Sequence, residues 1–264
     1  MPATAGHFQA CQEEMVEMAV MTSCPYPVWY INLERDAERR ERMDAELARA
    51  DIPGERFDAV WWALLDPTIQ DQLYSARLNA QQYYQPLVNG EKGCYASHIF
   101  AWRKLLNSDA PALVVLEDDV SLEPGFLQVL QGIARLPQNW DMIKLMGRPG
   151  REKVRSRQDL IPGHDLIRYS RVPSFTAAYV ISKSGAQKML QTRVPFGRPI
   201  DIDLRFWWEN GMRIAGIHPP VVTLDDISQA SSIAGRRNEA SFRTRWRKLC
   251  MKLALSWGNA RHSE

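Results

Sequence analysis

Apolar and polar positions fall into short blocks along the chain, and the blocks carry two different periods. Val28-Trp29-Tyr30-Ile31 is a brief apolar run rich in β-formers and predicts a buried strand. Asp36 to Ala50 is dense in Glu and Arg, with Met43, Leu47 and Ala50 at helical spacing. Asp36 is the expected N-cap of that helix, and Pro53-Gly54 its stop. Arg56 to Val60 predicts a second strand. Gly93 to Leu106 predicts a helix whose apolar face is Ile99, Trp102, Leu105 and Leu106, ended by Asn107 to Pro111. Ala112 to Leu116 is an unbroken apolar strand that runs straight into Glu117-Asp118-Asp119. Asp141 to Met146, Ala177 to Ile181 and Arg213 to Ile217 are further expected strands, and Ser184 to Leu190 a helix begun by a serine. Gly147 to Gly163, with five basic and two acidic residues, is expected to be a loop.

Strands alternating with helices predict an α/β sandwich with a mixed, largely parallel sheet. Residues 1–27 are set aside as a leader, 28–235 as the folded domain and 236–264 as a basic tail. In that tail Phe242, Trp246, Leu249, Leu253 and Trp257 form one stripe of a helix, with Arg243, Arg245, Arg247, Lys248 and Lys252 around it. Such a helix either lies on an anionic membrane surface, through residues 236–257, or docks its stripe onto the body.

Composition changes this picture little. Hydrophobic residues make up 45% and charged residues 24%, as in an ordinary globular protein. The net charge of +2 hides an asymmetry, because residues 236–264 hold eight Lys/Arg against two Asp/Glu. A near-neutral body with a basic tail implies one local anionic contact and no nucleic-acid partner. Cys11, Cys24, Cys94 and Cys250 show no paired spacing, which favours reduced thiols over a zinc site or a disulfide framework. Glu13, Glu14 and Glu17 stand where a signal peptide needs positive charge, so a cytoplasmic location is expected.

The sharpest chemical signal is Leu-Val-Val-Leu-Glu-Asp-Asp. Residues two apart on a strand point the same way, so Glu117 and Asp119 are expected to share a face while Asp118 points elsewhere. Paired carboxylates repel unless protonated or bridged by a cation, and hard oxygen ligands suit Mg²⁺ or Mn²⁺, which in turn suit a diphosphate. A plain solvated strand end reads equally well from these residues alone.

The wider series is more specific. It runs Ile31-Asn32-Leu33-x-Arg35-x-x-x-Arg39-Arg40, Gly90-Glu91-x-Gly93-Cys94-x-x-Ser97-His98, Leu116-Glu117-Asp118-Asp119, Trp140-Asp141, Thr176-Ala177-Ala178-Tyr179, Ser182-x-x-Gly185-Ala186 and Pro199-Ile200-Asp201. In that order it resembles glycosyltransferase family 25, the lipopolysaccharide or lipooligosaccharide biosynthesis galactosyltransferases and their collagen-modifying relatives. The resemblance implies a GT-A-like fold and inverting transfer of a hexose, galactose by expectation. It also implies a UDP-sugar donor, Mn²⁺ or Mg²⁺, and a saccharide or lipid-linked oligosaccharide acceptor. It places Asn32, Arg35, Arg39, Glu91, Ser97, His98, Glu117 and Tyr179 around the donor, and Asp119 with Glu117 on the metal. Asp201, then Asp203, is the expected base; capping of the following helix is the competing role for Asp201. Trp61 and Trp62 read as core or as an acceptor platform. A metal-dependent phosphodiesterase and a non-catalytic binding module are the rival functions.

Overall fold

The structure, a computed structural model, describes residues 23–147, 152–224 and 242–262. Its elements run β1 (Val28–Asn32), α1 (Ala37–Arg49), β2 (Gly54–Asp58), α2 (Pro67–Leu73), α3 (Ala76–Gln82), α4 (Asn89–Leu106), β3 (Ala112–Glu117), β4 (Val120–Leu122), α5 (Phe126–Ala134), β5 (Met142–Lys144), β6 (Lys153–Ile161), β7 (His164–Arg171), β8 (Ala178–Ser182), α6 (Lys183–Arg193), α7 (Ile200–Asp203), β9 (Ile214–His218), β10 (Val222–Leu224) and α8 (Phe242–Arg261). A 3-10 segment, Leu204–Glu209, follows α7.

The main sheet has the order β2-β1-β3-β8-β5-β9-β7-β6. Following the pairings across it, β8 and β7 run against the other six strands, so the sheet is mixed and largely parallel. Its centre is apolar on both faces. Along β3, Ala112, Val114 and Leu116 pack with Met43 and Leu47 of α1 and with Phe126, Val129 and Ile133 of α5. Leu113 and Val115 turn to the opposite layer, against Tyr95, Ile99, Trp102 and Leu105 of α4. Period-two alternation on one strand thus serves two helical layers, the arrangement expected of a strand covered on both sides.

Several boundaries differ from the sequence pattern. The second strand begins at Gly54, two residues early, as the parallel partner of Val28. The long helix begins at Asn89 because Glu91 accepts the Val88 amide at 3.0 Å and closes its first turn. Asp36 makes no side-chain cap; its carboxylate lies 3.7 Å from Arg35 instead. Ser182, rather than Ser184, caps α6 by accepting the Gly185 amide at 3.1 Å. The expected loop after Gly147 holds a strand, since Lys153–Ile161 pairs antiparallel with β7 at the sheet edge. An edge strand half open to solvent carries charged residues at alternate positions, and that hides its β-character from an apolar pattern search.

Residues 1–22 of the expected leader lie outside the described residues, while Tyr26 is part of the core. The boundary near 235 also lies outside them. The tail helix docks, but through the face opposite its apolar stripe. Leu255 and Asn259 are buried, and the Asn259 carboxamide accepts from Trp207 Nε1 at 3.3 Å. Gly258 permits close approach: a Cβ there would lie 2.0 Å from the Trp208 ring. Trp246, Leu249, Leu253 and Trp257 face outward.

Candidate active site

β3 delivers Glu117 to the carboxyl edge of the sheet, and the chain turns at Asp118 and Asp119 before β4. Because strand geometry stops at Glu117, the expected alternation fails and all three acids line one cleft. Asp118 is held rather than free. Its carboxylate accepts from Asn32 Nδ2 at 2.7 Å and from Arg39 Nη1 at 2.9 Å, and its carbonyl from Arg42 Nη2 at 2.7 Å. Asn32 also donates to the Asp36 carbonyl and accepts from Arg56 Nε, so it is buried and fully engaged. Asn32, expected beside the donor, therefore acts by fixing Asp118; its side chain has no group left for a ligand. Arg39 does line the cleft, paired with Asp118. Arg35 lines it as well, stacked 4.0 Å over the half-open Trp61 ring. The tryptophan pair splits accordingly, Trp62 into the core and Trp61 into the cleft.

Glu117 and Asp119 carry the free acidity. Burial first, then the Glu117 charge, pushes the Asp119 carboxyl up to about 6. Asp119 Oδ1 is buried with no hydrogen-bond partner. Glu117 Oε1 accepts from Thr176 Oγ1 at 3.1 Å. Two crowded carboxylates, one with an orphaned oxygen, form an oxygen-only donor set that fits Mg²⁺ or Mn²⁺.

A softer grouping lies beside them. Cys94, His98 and Glu117 bring potential ligand atoms within 4.8 Å of one another. Trp102 Nε1 can only donate, and it donates to Tyr179 Oη at 3.0 Å; Tyr179 then turns its own proton to His98 Nδ1 at 2.7 Å. That wiring leaves His98 Nε2 as an N–H, 3.8 Å from Glu117 Oε1. Burial, then the charge of Glu117, raises the Cys94 thiol well above its ordinary range, so it stays protonated. His98 lines the cleft as a fixed donor. Tyr179, expected at the donor, does not reach it: the side chain is fully buried and acts through His98. Ser97 Oγ accepts the Val60 amide and donates to the Gly93 carbonyl, both at 2.8 Å, tying α4 to the cleft wall.

A second, open cavity adjoins the first, sharing Cys94 and Glu117. Glu91, Thr176 and Asp201 line it. Burial pushes the Asp201 carboxyl up, against the Ile202 amide and the Lys144 charge that lower it. Lys144, at the end of β5, is itself buried, and burial drops its ammonium to about 7 while it donates to the Phe175 carbonyl. Asp203 is a correction. It accepts from Tyr95 Oη at 2.6 Å and from Arg198 Nη1 at 3.1 Å, with Arg193 Nε at 3.5 Å. A carboxylate shared between two arginines inside the core cannot take a proton from a substrate in the cleft.

The Trp140-Asp141 and Ser182-x-x-Gly185 motifs form a latch away from both cavities. Asp141 is fully buried and accepts from Arg213 N (2.8 Å), Arg213 Nε (3.1 Å), Lys188 Nζ (2.7 Å) and Ser184 Oγ (2.7 Å). A Cβ at Gly185 would lie 2.2 Å from the Asp141 carbonyl oxygen, which explains the glycine.

Residues 26–204 match the model of glycosyltransferase family 25 (LPS biosynthesis protein), more than half of the chain. The chain belongs to glycosyltransferase family 25. It is 32% identical over 185 residues to procollagen galactosyltransferase 1-B of Xenopus laevis, covering 67% of this chain and 30% of that protein. Over 184 residues it is 30% identical to the probable inactive glycosyltransferase 25 family member 3 of Bos taurus, with the same coverage. Procollagen galactosyltransferase 2 of Homo sapiens is 28% identical, covering 67% of this chain and 29% of that one. The chain thus spans under a third of these relatives' length. Mouse xyloside xylosyltransferase 1, in its apo form, aligns at 9% identity and a TM-score of 0.31 over 71% of this chain and 76% of that one.

Within this family 25 chain, sequence reasoning missed Lys144 and the role of Asp141. The signal for Lys144 was a lone lysine inside the apolar run Asp141 to Met146. A lysine there is either misassigned or buried for a reason.

Proposed function

We propose that the protein is an inverting hexosyltransferase that moves a sugar, galactose by preference, from a UDP-sugar to a saccharide acceptor. Lipopolysaccharide or lipooligosaccharide assembly is the setting we favour, with a lipid-linked oligosaccharide as acceptor. One observation carries the reading: two cavities meet at Glu117, with Asp119 on one side and Asp201 on the other.

In this reading the nucleotide occupies the first cavity, its base against Trp61 and its diphosphate near Asp119, Arg35 and Arg39. Glu117 and Asp119 would hold Mn²⁺ or Mg²⁺, which supplies positive charge to the departing diphosphate. Arg35 and Arg39 add fixed charge at the same place, since a guanidinium matches phosphate oxygens. Thr176 Oγ1 orients Glu117. The acceptor hydroxyl lies in the second cavity, and Asp201 takes its proton as the oxygen attacks the anomeric carbon. Burial raises the proton affinity of Asp201, which makes it a better base than a solvated aspartate. The Lys144 charge acts against that rise.

Replacing Asp201 by Asn is expected to lower kcat by about 10²- to 10⁴-fold while UDP binding is unchanged, measured by single-turnover transfer and calorimetry. Unchanged turnover would remove Asp201 from the mechanism. Relatives named inactive make a non-catalytic binding module the second reading. Donor hydrolysis in a screen of UDP-sugars with Mn²⁺ favours the enzyme; UDP binding without any turnover favours the module.

A further inference from the structure

We infer that α8 is a membrane-surface anchor whose outward face binds an anionic bilayer. A helix that docks with its apolar stripe would bury that stripe. Here the docking contacts are Leu255, Gly258 and Asn259 against the 3-10 segment, and Arg247, which donates to the Ala80 and Tyr83 carbonyls. The other face is open: Trp246 is 59%, Leu249 47%, Leu253 60% and Trp257 64% exposed, and nothing among the described residues covers them. Their spacing of three, four and four residues keeps them on one side of a helix.

Charge selects the occupant. From Phe242 to His262 the chain has no Asp or Glu, and exposed Arg245 and Lys252 flank the stripe on one side, with Arg261 over the Trp257 ring at 5.1 Å on the other; Lys248 turns to the body, over the Tyr84 ring at 5.1 Å. Two copies pressed face to face would bring these cations together. A surface of anionic headgroups over hydrocarbon meets both the cations and the tryptophan and leucine side chains. No helix among the described residues is long and apolar enough to cross a membrane, so this face would lie along the surface. The 3-10 segment that receives α8 directly follows α7, the helix that carries Asp201.

The test is cosedimentation of the full chain with phosphatidylcholine vesicles, with and without phosphatidylglycerol, in the absence of any donor. Wild type is expected to bind the anionic vesicles and to release as salt is raised, with a blue shift of tryptophan emission. Joint replacement Arg245→Gln and Lys252→Gln is expected to weaken binding on the order of 30-fold. Trp246→Ser, Leu249→Ser, Leu253→Ser and Trp257→Ser together are expected to abolish it, with the melting temperature and UDP binding retained because all four side chains face solvent. Failure of wild type to bind, or equal binding by the serine variant, overturns the inference. So does light scattering that shows a wild-type dimer turned monomeric by the serine substitutions, which would assign the face to a second copy. Vesicle binding is read without substrate, so its outcome is independent of the proposed transfer reaction.

Discussion

Replacing Asp119 by Asn is expected to lower sugar transfer by about 10³-fold or more while making the metal-free protein more stable at neutral pH. The activity loss follows from removing the carboxylate charge that the proposed cation requires; a preorganised charge of this kind contributes several kcal/mol, roughly, to a transition state. The stability gain follows from linkage. The Asp119 carboxyl sits at about 6 in the folded protein against an ordinary 3.8, so the folded state holds that proton more tightly. Metal-free stability is therefore greatest below the ordinary value and falls as pH rises through about 6. A separation of about 2 pH units corresponds to up to about 3 kcal/mol, less what solvent screening removes at a group not fully enclosed. Asn carries no charge and escapes this loss. Urea melts at pH 7.5 should show the variant about 1–3 kcal/mol more stable; at pH 3.5 the two proteins should coincide. Saturating Mn²⁺ should restore the advantage to wild type alone, because binding stabilises only the protein that binds. Equal melts at pH 7.5, or Mn²⁺-dependent UDP binding by the variant, would show that Asp119 is not a cation ligand.

The second large effect is expected at Asp141, which lines neither cavity. Burial opposes its ionisation, but hydrogen bonds from Arg213, Lys188 and Ser184 more than offset this and hold the carboxyl well below its ordinary range. Asp141→Ala leaves the Arg213 and Lys188 cations without their partner and detaches α6 from the start of β9. The two cations left behind are partly open to solvent, so the cost is that of the lost hydrogen bonds and packing, about 2–3 kcal/mol. For a chain of this size that is a fall in Tm of about 4–10 °C. Because the folded carboxyl is depressed, its contribution is present above the ordinary aspartate value and is lost as pH falls below it. Calorimetric melts at pH 7 and pH 3 should thus both show a clear difference between wild type and variant, somewhat smaller at pH 3, because the folded carboxyl stays ionised until the pH falls well below its ordinary value. UDP binding at low temperature should survive. A variant with wild-type Tm would mean that the latch has no energetic role.

These two aspartates show how far the sequence reaches. The run Leu113 to Asp119 announces a buried strand ending in acids, because hydrophobic burial is a local property that a pattern of side chains records directly. The same holds for β1, β3, β8 and the helix before β3. What the pattern does not record is where strand geometry ends. Alternation assigned Asp118 to the far side, yet the turn begins one residue after Glu117 and brings all three acids to one cleft.

Charge partners are still less legible. Asn32 and Asp118 are 86 positions apart, and Lys188 and Arg213 reach Asp141 from 47 and 72 positions away. Asp201 and Asp203 look alike in sequence, but one helical turn sends the first to a cavity and the second into an arginine-paired core. The tail helix makes the same point, since its period gives an apolar stripe and only packing decides which face is used. From neighbours in the chain alone came the apolar strands, the helix before β3 and the acidic strand end; the short helices α2 and α3 and the polar edge strand β6 carry no such local apolar pattern, and they and α5 emerged only with the fold. Tertiary structure alone decided which carboxylates are free, since ionisation and accessibility depend on groups that folding brings from elsewhere.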